Sequence, residues 1–367
     1  MSEIGIGILG GGYMGKAHAV AMSAVGAVFN TKLRPRLEMV AARSGDSAER
    51  YRKAYGFARG TADWQALVRD PKVDAIVIAS TQDTHRAVAE MAFSMGKPVF
   101  CEKPLGASID DARAMVSAAE EAGAINMIGF NYCRTPATQY ARQLIEDGAI
   151  GRVTWYRGEH TEDFLADPEE PFNWRCEGRA TGTMGDLAPH PVNCALALMG
   201  PVRSVMAEIE TVHGNRPGGT VTNDDQAQMM VRFDNGVLGH IYASRTATGR
   251  KMGYAYEIHG TNGAIRFDGE DQNTIWLYRR TGPQASQGFT KILTGPAHPD
   301  YLPFCQGPGH GTGYQDQIMI EAKDFLEAIA SGQNKWPTFA DGLAVSEVIE
   351  AAWKSHETRA WVDINTV

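Results

Sequence analysis

The stretch IGIGILGGGYMG, residues 4–15, decides the fold of the first part of the chain. Its first residues alternate isoleucine with glycine, which is typical of a buried strand, and its glycines fit the spacing G-x-G-x-x-G at Gly10, Gly12 and Gly15. This spacing between a strand and a helix predicts a turn that binds a dinucleotide. Gly10 allows the tight turn, Gly12 lets the backbone approach a pyrophosphate, and Gly15 lets the helix pack close to the sheet.

The residues inside this loop are candidates for contact with the dinucleotide. A helix that begins here points its free N–H groups at the phosphates, and Tyr13 and Met14 lie in its first turn. A strand-to-helix turn without a ligand shows the same glycines, so the prediction depends on the strand before the loop and the helix after it.

Beyond this loop, short apolar strands alternate with helical stretches, which predicts a doubly wound parallel sheet of the Rossmann type. Strands are predicted over Ile4–Leu9, Leu37–Ala42, Ala75–Ser80, Val99–Glu102 and Asn126–Gly129. Helices are predicted over Met14–Val28, Ser47–Tyr55, Thr84–Ser94, Ser108–Ala122 and Thr138–Asp147. Ser108 is a candidate N-cap, and helix ends are marked by Gly96, Gly123 and Gly148.

After Gly151 the pattern changes to β-type runs separated by turn dipeptides, which predicts a large, mostly antiparallel sheet in an α/β domain. The runs are Val153–His160, Val205–Val212, Ala227–Phe233, Val237–Ser244, Tyr254–His259 and Ala264–Phe267. Residues 281–312 are rich in glycine and proline and suggest a functional loop or a lid. Helices over Gln315–Ala330 and Leu343–His356 and a strand over Trp361–Ile364 close the chain. We therefore predict an NAD(P)-binding domain over residues 1–131 and a substrate-binding and oligomerisation domain over residues 132–367.

The end of the second predicted strand bears on the choice between NAD and NADP. NAD-specific folds place a carboxylate there, on the adenine ribose, whereas this chain has Arg43 and Ser44. Arg43 and Ser44 would suit a 2′-phosphate, while Asp46 stands close enough to reach the ribose instead. The sequence leaves both cofactors open.

Composition excludes several classes of protein. The 367 residues carry a net charge of −8, and their Lys and Arg residues are scattered, so no nucleic-acid partner is expected. No apolar run reaches the roughly 18 to 20 residues of a spanning helix. The first twelve residues lack a basic export region, and the five cysteines form no C-x-x-C pair. We expect a cytoplasmic protein without a membrane partner, a disulfide framework or a metal site.

Several motifs, in this order, resemble the glucose-fructose oxidoreductase, inositol dehydrogenase and MocA (Gfo/Idh/MocA) family over nearly the whole chain. Besides the glycine loop they are Ser80–His85, Gly96–Leu105 with its Glu-Lys-Pro, Asn131–Pro136, Gly148–Val153 and Gly185–His190. The resemblance implies an NAD(P)-dependent oxidoreductase that acts on a sugar or a cyclic polyol such as an inositol.

The resemblance also implies which residues act. The family's lysine and its D-x-x-x-H pair fall on Lys103, Asp186 and His190. Further contacts with the cofactor are implied for Ser80, Thr81, His85, Glu102 and Lys103. The chain departs from the family at Asn193, where aspartate is common, and at Gly182–Gly185, where a run of glycines is common.

The chemistry of alcohol oxidation fits these residue types. A base must take the hydroxyl proton as the hydride leaves for the nicotinamide. His190 begins a predicted helix, whose positive dipole end favours the neutral imidazole that accepts a proton. Asp186 either orients this imidazole or binds a substrate hydroxyl, and Lys103, at a strand's carboxyl end, donates to the reacting oxygen. Each also has a plain structural reading as a solvated lysine or a surface ion pair.

Substrate contacts are predicted for Asn131, Trp174, Arg175, Asp186 and His190, because sugars are bound by aromatic faces and planar hydrogen-bonding groups. Core or surface roles fit Trp174 and Arg175 about equally well. The family's antiparallel sheet commonly forms subunit contacts, which implies a homodimer or a homotetramer. Two alternatives stay open: a reductase or dehydrogenase of a keto sugar, an anhydrosugar or a dihydrodiol, and a regulator that senses NAD(P)H without catalysis.

Overall fold

The chain forms two compact units in the computed structural model, which describes residues 2–367. The first unit contains the chain up to Arg134 together with Gly313–Ala344, and the second contains Thr135–Thr312 together with Val345–Val367. The first unit thus takes a segment from near the end of the chain. Two domains with the bounds 1–131 and 132–367 remain a prediction.

The first unit is built on a six-stranded sheet in the order β3-β2-β1-β4-β5-β6. Its strands are β1 (Ser2–Leu9), β2 (Leu33–Ala41), β3 (Arg59–Thr61), β4 (Ala75–Ile78), β5 (Val99–Glu102) and β6 (Asn126–Gly129). Every neighbouring pair is parallel. This order is that of the Rossmann fold, so the predicted doubly wound sheet is confirmed.

Helices follow the strands of this sheet: α1 (Tyr13–Phe29), α2 (Gly45–Tyr55), α3 (Trp64–Arg69), α4 (His85–Ser94) and α5 (Ile109–Glu121). Ser108 is the N-cap of α5, since its side chain accepts a hydrogen bond from the Asp111 N–H. Gly96, Gly123 and Gly148 have φ values of 70°, 56° and 68°, so the predicted left-handed turns are confirmed.

The second unit is built on a nine-stranded sheet in the order β16-β15-β14-β13-β7-β12-β11-β8-β17. Its strands are β7 (Val153–Thr161), β8 (Val202–Glu210), β11 (Gln226–Phe233), β12 (Leu238–Ser244), β13 (Ala255–Gly260), β14 (Gly263–Asp268), β15 (Thr274–Arg279), β16 (Thr290–Leu293) and β17 (Val362–Asp363). A separate hairpin joins β9 (Asn215–Arg216) and β10 (Gly219–Thr220). Only β7 and β12 pair in parallel within the nine-stranded sheet, so the predicted, mostly antiparallel sheet is confirmed.

One face of the nine-stranded sheet is buried. Alternate residues of β11 show this, since Ala227, Met229, Val231 and Phe233 are at most 1% exposed. Helices α6 (Pro136–Glu146), α7 (Thr183–Asp186) and α8 (Pro189–Met199) belong to the same unit, and α8 packs on β7 and β12. The N-terminus of α8 is thereby fixed against the sheet.

The predicted loop over residues 281–312 is more ordered than its composition suggests. Thr290–Leu293 pairs with β15 as an edge strand, which the sequence analysis did not predict. Tyr301 is fully buried, and its hydroxyl donates to the Gly307 carbonyl while the His310 and Gly311 N–H groups donate to it. These bonds hold the end of the segment as a compact turn.

Two long helices, α9 (Tyr314–Ser331) and α10 (Phe339–Thr358), precede β17 near the end of the chain. Helix α9 packs on α1 within the first unit. No helix among residues 2–367 is long and apolar enough to cross a membrane.

Candidate active site

Several predicted cofactor residues share one edge of the six-stranded sheet. Strands β2, β1, β4 and β5 are neighbours in that order and run in parallel. Arg43, Gly10, Ser80 and Lys103 follow their respective carboxyl ends. This edge is where open α/β sheets bind ligands.

The glycine loop has the geometry of a phosphate cradle. Gly10 has a φ of 94°, and a Cβ there would collide with the Ala79 carbonyl. A Cβ on Gly15 would collide with the Gly10 carbonyl, which shows how closely α1 approaches the loop. Gly12 is the N-cap of α1, and a Cβ there would meet no atom of residues 2–367 within 4 Å. The open space above Gly12, beside a helix N-terminus, fits a pyrophosphate.

Aromatic rings flank this loop. Tyr13 is 73% exposed and stacks on Tyr314 of α9, with ring centroids 5.6 Å apart. The Tyr314 hydroxyl donates to Met14 Sδ at 3.0 Å. Burial raises the pKa of Tyr314 above its usual range, so this hydroxyl stays protonated. Tyr13 and Met14 are thus held by a residue about 300 positions later, which the sequence analysis missed.

Two tyrosines of α2 fix the middle glycine of the loop. A Cβ on Gly11 would collide with the ring of Tyr51, and the Tyr55 hydroxyl donates to the Gly11 carbonyl at 2.9 Å. The rings of Tyr51 and Tyr55 stack at 5.6 Å. Because Tyr51 and Tyr55 are four residues apart in a helix, they lie on the same face. This spacing is the sequence pattern from which their shared contact with the loop could have been predicted.

The residues that bear on the choice between NAD and NADP are exposed to solvent. Arg43, Ser44 and Asp46 are all exposed. The Ser44 hydroxyl accepts a hydrogen bond from the Ser47 N–H at 3.2 Å and so caps α2. Ser44 therefore has a structural role in the helix, whereas Arg43 stands at the strand end with its side chain exposed.

The loop after β4 is tied together by its own side chains. The hydroxyls of Ser80 and Thr84 lie 2.5 Å apart, and Thr81 is exposed. His85 is 1% exposed, with Nδ1 at 3.1 Å from the Pro104 carbonyl and Nε2 at 3.2 Å from the Ser80 carbonyl. Burial lowers the pKa of His85. The imidazole thus bridges the loop after β4 and the loop after β5.

The two charged residues of the Glu-Lys-Pro segment differ in their surroundings. Glu102 is buried, and its Oε1 lies 2.7 Å from Nε2 of His18 in α1. Lys103 is partly exposed at the end of β5, and its peptide bond to Pro104 is cis. The structure therefore ties Glu102 to α1, and a direct contact of Glu102 with the cofactor remains a prediction.

Asn131 lies in the interior of the first unit. It is 6% exposed, and its Nδ2 donates to Gln317 Oε1 at 3.0 Å. Nearby, Glu321 Oε1 accepts from the Phe130 N–H at 2.7 Å, and burial raises the pKa of this carboxyl well above its usual range. These bonds join the loop after β6 to α9, and substrate contact by Asn131 remains a prediction.

Trp174, Arg175 and Asp186 form a cluster in the second unit. Arg175 Nη1 donates to Asp186 Oδ2, and the guanidinium lies 4.5 Å from the Trp174 ring centroid and 5.3 Å from that of Phe164. Trp174 is 66% exposed and Phe164 is 38% exposed. Two exposed aromatic rings beside a cation can bind a hydroxylated ring. Phe164 was not predicted from the sequence.

His190 lies in the first turn of α8 and is 6% exposed. Its ring meets that of His160 edge to face, with centroids 5.3 Å apart. His160 is 1% exposed at the end of β7, and its Nε2 lies 3.0 Å from Glu162 Oε1. The predicted helix start at His190 is confirmed, and Gly200 ends this helix at a φ of 85°.

Within residues 2–367 no group of three His, Cys, Asp or Glu side chains is arranged to hold a metal ion.

Comparisons with known proteins agree with the motifs. Residues 4–130 match the oxidoreductase family with an NAD-binding Rossmann fold, and residues 138–266 match the Gfo/Idh/MocA C-terminal domain. The chain is 34% identical to levoglucosan dehydrogenase of Pseudarthrobacter phenanthrenivorans over 99% of each chain, and 28% identical to inositol 2-dehydrogenase of Rhizobium meliloti over 98% of each. A solved structure of levoglucosan dehydrogenase in complex with NADH and levoglucosan matches with a TM-score of 0.96, at 35% identity over 99% of both chains. The chain therefore belongs to the Gfo/Idh/MocA family of oxidoreductases.

Proposed function

We propose that this protein oxidises a secondary hydroxyl of a cyclic sugar or polyol, with NAD as hydride acceptor, His190 as base and Lys103 assisting. Membership of the family makes the chain an NAD-dependent oxidoreductase of sugar or polyol hydroxyls. Within that range we propose a pyranose or an anhydrosugar as the substrate, because the relative at 34% identity is named for levoglucosan.

One observation supports the assignment of the residues that bind the substrate. Arg175 binds Asp186, and its guanidinium lies within 5.3 Å of the ring centroids of both Trp174 and Phe164. Asp186 is four residues before His190. A carboxylate and a guanidinium give planar hydrogen bonds to neighbouring hydroxyls, and the exposed rings cover the apolar face of a sugar.

The proton chemistry is proposed for His190. Its backbone is fixed in the first turn of α8, and its ring packs against His160. A neutral imidazole in this position takes the hydroxyl proton as the C–H bond breaks. The Asp186 carboxylate either orients the imidazole or binds an adjacent hydroxyl of the sugar.

Lys103 is proposed to donate a hydrogen bond to the oxygen that loses its proton. An ammonium stabilises the negative charge that develops on this oxygen. When bound, NAD supplies the acceptor for the hydride. The residues that would hold it are those of the glycine loop, where Gly12 leaves space for the pyrophosphate.

The test is an assay of nicotinamide reduction over a panel of sugars. Levoglucosan, glucose, myo-inositol and scyllo-inositol are each offered with NAD and with NADP, and the corresponding ketones with NADH. We expect turnover with at least one cyclic sugar or polyol and a higher kcat/KM with NAD than with NADP. Reduction of a ketone without measurable oxidation would favour the reductase alternative, and absence of any turnover would favour a sensor.

We further propose that the protein acts in the cytoplasm as a homodimer or a homotetramer. The nine-stranded sheet leaves the apolar side chains Met230 and Leu238 51% and 46% exposed. Exposed apolar side chains on one sheet face are typical of a surface that another subunit covers.

A further inference from the structure

The segment Trp174–Asp186 has little regular structure of its own. It consists of two short 3₁₀ turns, Trp174–Cys176 and Arg179–Thr181, followed by the four residues of α7. Such a segment cannot fix its own geometry through helical or sheet hydrogen bonds. The contacts made from outside must hold Arg175 and Asp186 in place.

Most of these contacts come from three buried residues, Asn223, Asp225 and Arg245, which we call the arginine cluster. The side chains of Arg245 and Asp225 are 1% and 0% exposed and form an ion pair through Nε and Oδ1 at 2.9 Å. Arg245 Nη1 donates to the carbonyls of Arg175 at 2.7 Å and Thr181 at 3.1 Å. Its Nη2 donates to Asn223 Oδ1 at 2.7 Å.

Asn223 extends the same pattern along the segment. Its Nδ2 donates to the Arg175 carbonyl at 2.9 Å, the Gly178 carbonyl at 3.1 Å and Thr181 Oγ1 at 3.1 Å. Arg175 thus receives two hydrogen bonds on its carbonyl from the cluster, while its own guanidinium binds Asp186.

The start of α7 is held by Asp224 and Asp225, which lie in the turn just before β11. The Thr183 hydroxyl donates to the Asp225 carbonyl at 2.8 Å, and the Met184 N–H donates to Asp224 Oδ2 at 2.7 Å. A Cβ on Gly182 would collide with the Asp224 carboxylate, so glycine is required where the segment enters the helix. Asp186 ends α7, and its position therefore depends on these bonds.

The cost of burial supports a specific role for the cluster. An ion pair removed from water gains little over well-packed apolar residues, because desolvation offsets the attraction. An apolar core, however, cannot bind the carbonyls of Arg175, Gly178 and Thr181. The planar fork of arginine, with five donors, can bind an aspartate, an amide and two carbonyls at once.

We propose that Asn223, Asp225 and Arg245 are positioning residues that set Arg175 and Asp186 for sugar binding. This inference rests on the proposed function, since it concerns the same substrate end. The cluster does not touch the substrate; it acts through the backbone of Trp174–Asp186.

The test compares Arg245→Lys, which keeps the charge but not the fork, with the wild type and with Arg59→Lys. Arg59 is a matched control, because its guanidinium binds two carboxylates, those of Glu38 and Asp70, within the first unit. Asn223→Ala is the second variant, since it removes the bonds to the segment and keeps the ion pair.

The first readout is KM and kcat for levoglucosan or, if levoglucosan is not turned over, for the best substrate of the panel. The second is the Kd of NADH, and the third is the rate of trypsin cleavage after Arg175 or Arg179. For Arg245→Lys we expect kcat/KM to fall about 10- to 100-fold, mainly through KM, because misplaced binding groups have effects of this size. The Kd of NADH should stay within about twofold, and cleavage in the segment should become several-fold faster. Asn223→Ala should shift KM and cleavage in the same direction by less, and Arg59→Lys should change neither.

An Arg245→Lys protein with the KM of the wild type overturns the proposal, whatever its cleavage rate. An equal rise in KM for Arg59→Lys also overturns it, because the effect would then follow from the loss of any arginine fork. Failure of the proposed function is recognised separately, since the wild type would reduce NAD with no sugar of the panel. The comparison of cleavage rates would then decide whether the cluster holds the segment.

Discussion

His190 and Lys103 carry the proposed proton chemistry. For each, an exposed residue of the same type in the same unit serves as a control whose replacement should leave kcat/KM unchanged. We expect His190→Ala and Lys103→Ala each to lower kcat/KM by about two orders of magnitude or more, the usual effect of a positioned acid-base group. The Kd of NADH should change little for His190→Ala. Steady-state kinetics and a fluorescence titration measure both quantities.

His259→Ala and Lys72→Ala are the controls, because these side chains are exposed and lie on a sheet face and a turn outside the proposed site. Both should retain kcat/KM close to that of the wild type. If His190→Ala turned over as fast as His259→Ala with its fold intact, the base would have to be another residue.

The glycine loop gives a second pair of substitutions with opposite expected effects. Gly12→Ala adds a Cβ in open space at a φ of −70°, so the thermal midpoint should stay unchanged while the Kd of NADH rises about tenfold or more. Gly15→Ala places its Cβ against the Gly10 carbonyl, so this variant should lose stability first. Unchanged NADH affinity in Gly12→Ala would mean that the pyrophosphate does not approach this glycine.

Arg43 tests how the cofactor is selected. Its side chain is exposed at the end of β2, where no carboxylate repels a 2′-phosphate. Arg43→Asp should therefore lower kcat/KM with NADP more than with NAD, because the new charge repels the extra phosphate. Asp46→Asn is the matched comparison, and a loss of NAD preference there, with no effect of Arg43→Asp, would assign the ribose to Asp46.

The sequence predicted where these residues lie more reliably than where their side chains point. Neighbouring parallel strands share their carboxyl edge, so motifs that follow strands must come together. The orientation of each side chain depends on distant partners instead. Glu102 binds His18, 84 residues earlier, and Asn131 binds Gln317, 186 residues later. Neither partner is recognisable from a local pattern.

At the scale of elements, two of the missed strands share a physical cause. Most strands with many apolar residues were predicted to within a few positions, because burial on one face imposes alternation. An exception is β15, an interior strand of the nine-stranded sheet that was missed although three of its residues are buried. Strand β3 has only Arg59–Thr61, and β16 has Thr290–Leu293 with three of its four residues exposed at a sheet edge. Edge strands are stabilised by backbone pairing with a neighbour, which leaves no hydrophobic signature in their own sequence.

The turn before β11 allows a prediction from two adjacent aspartates. Burial raises the pKa of Asp224 to about 6, with Asp225 adding to the rise and the Met184 N–H and Arg245 opposing it. The folded state therefore binds this proton more tightly than the unfolded state, and stability is lost as the pH rises through the range from about 4 to 6. Asp224→Asn should remove this loss. The free energy of unfolding gained by the variant over the wild type should therefore be larger at pH 7.5 than at pH 4.5, by about 2 kcal/mol.

Asp225→Asn supplies the contrast, because it leaves the buried guanidinium of Arg245 without its counter-charge. It should lower the thermal midpoint at both pH values. Calorimetry at the two pH values measures each difference from the wild type. A difference for Asp224→Asn that does not depend on pH would show that this carboxyl does not titrate in the folded protein above pH 4.5.

At the scale of the whole molecule, the two faces of the nine-stranded sheet differ in a way that bears on assembly. One face buries Val231, Ile241 and Ile258 within the unit. On the other, Met206 lies opposite Met230, and Leu238 lies opposite Trp155 in the register of the sheet. Methionine and aromatic side chains are enriched in the cores of protein interfaces, and we propose this face as the contact for a second copy of the chain.

We therefore expect a mass of two or four times 39.9 kDa in sedimentation velocity or light scattering. Met230→Asp places a charge among apolar side chains and should shift the protein towards the single chain, since burying an unpaired carboxylate is costly. Val212→Asp is the matched control, because Val212 is an apolar residue that is 40% exposed outside the sheet, and its mass should equal that of the wild type. A wild-type protein that sediments as a single chain at micromolar concentration would contradict the expected oligomer. An assembly unaffected by Met230→Asp would place the contact on another surface.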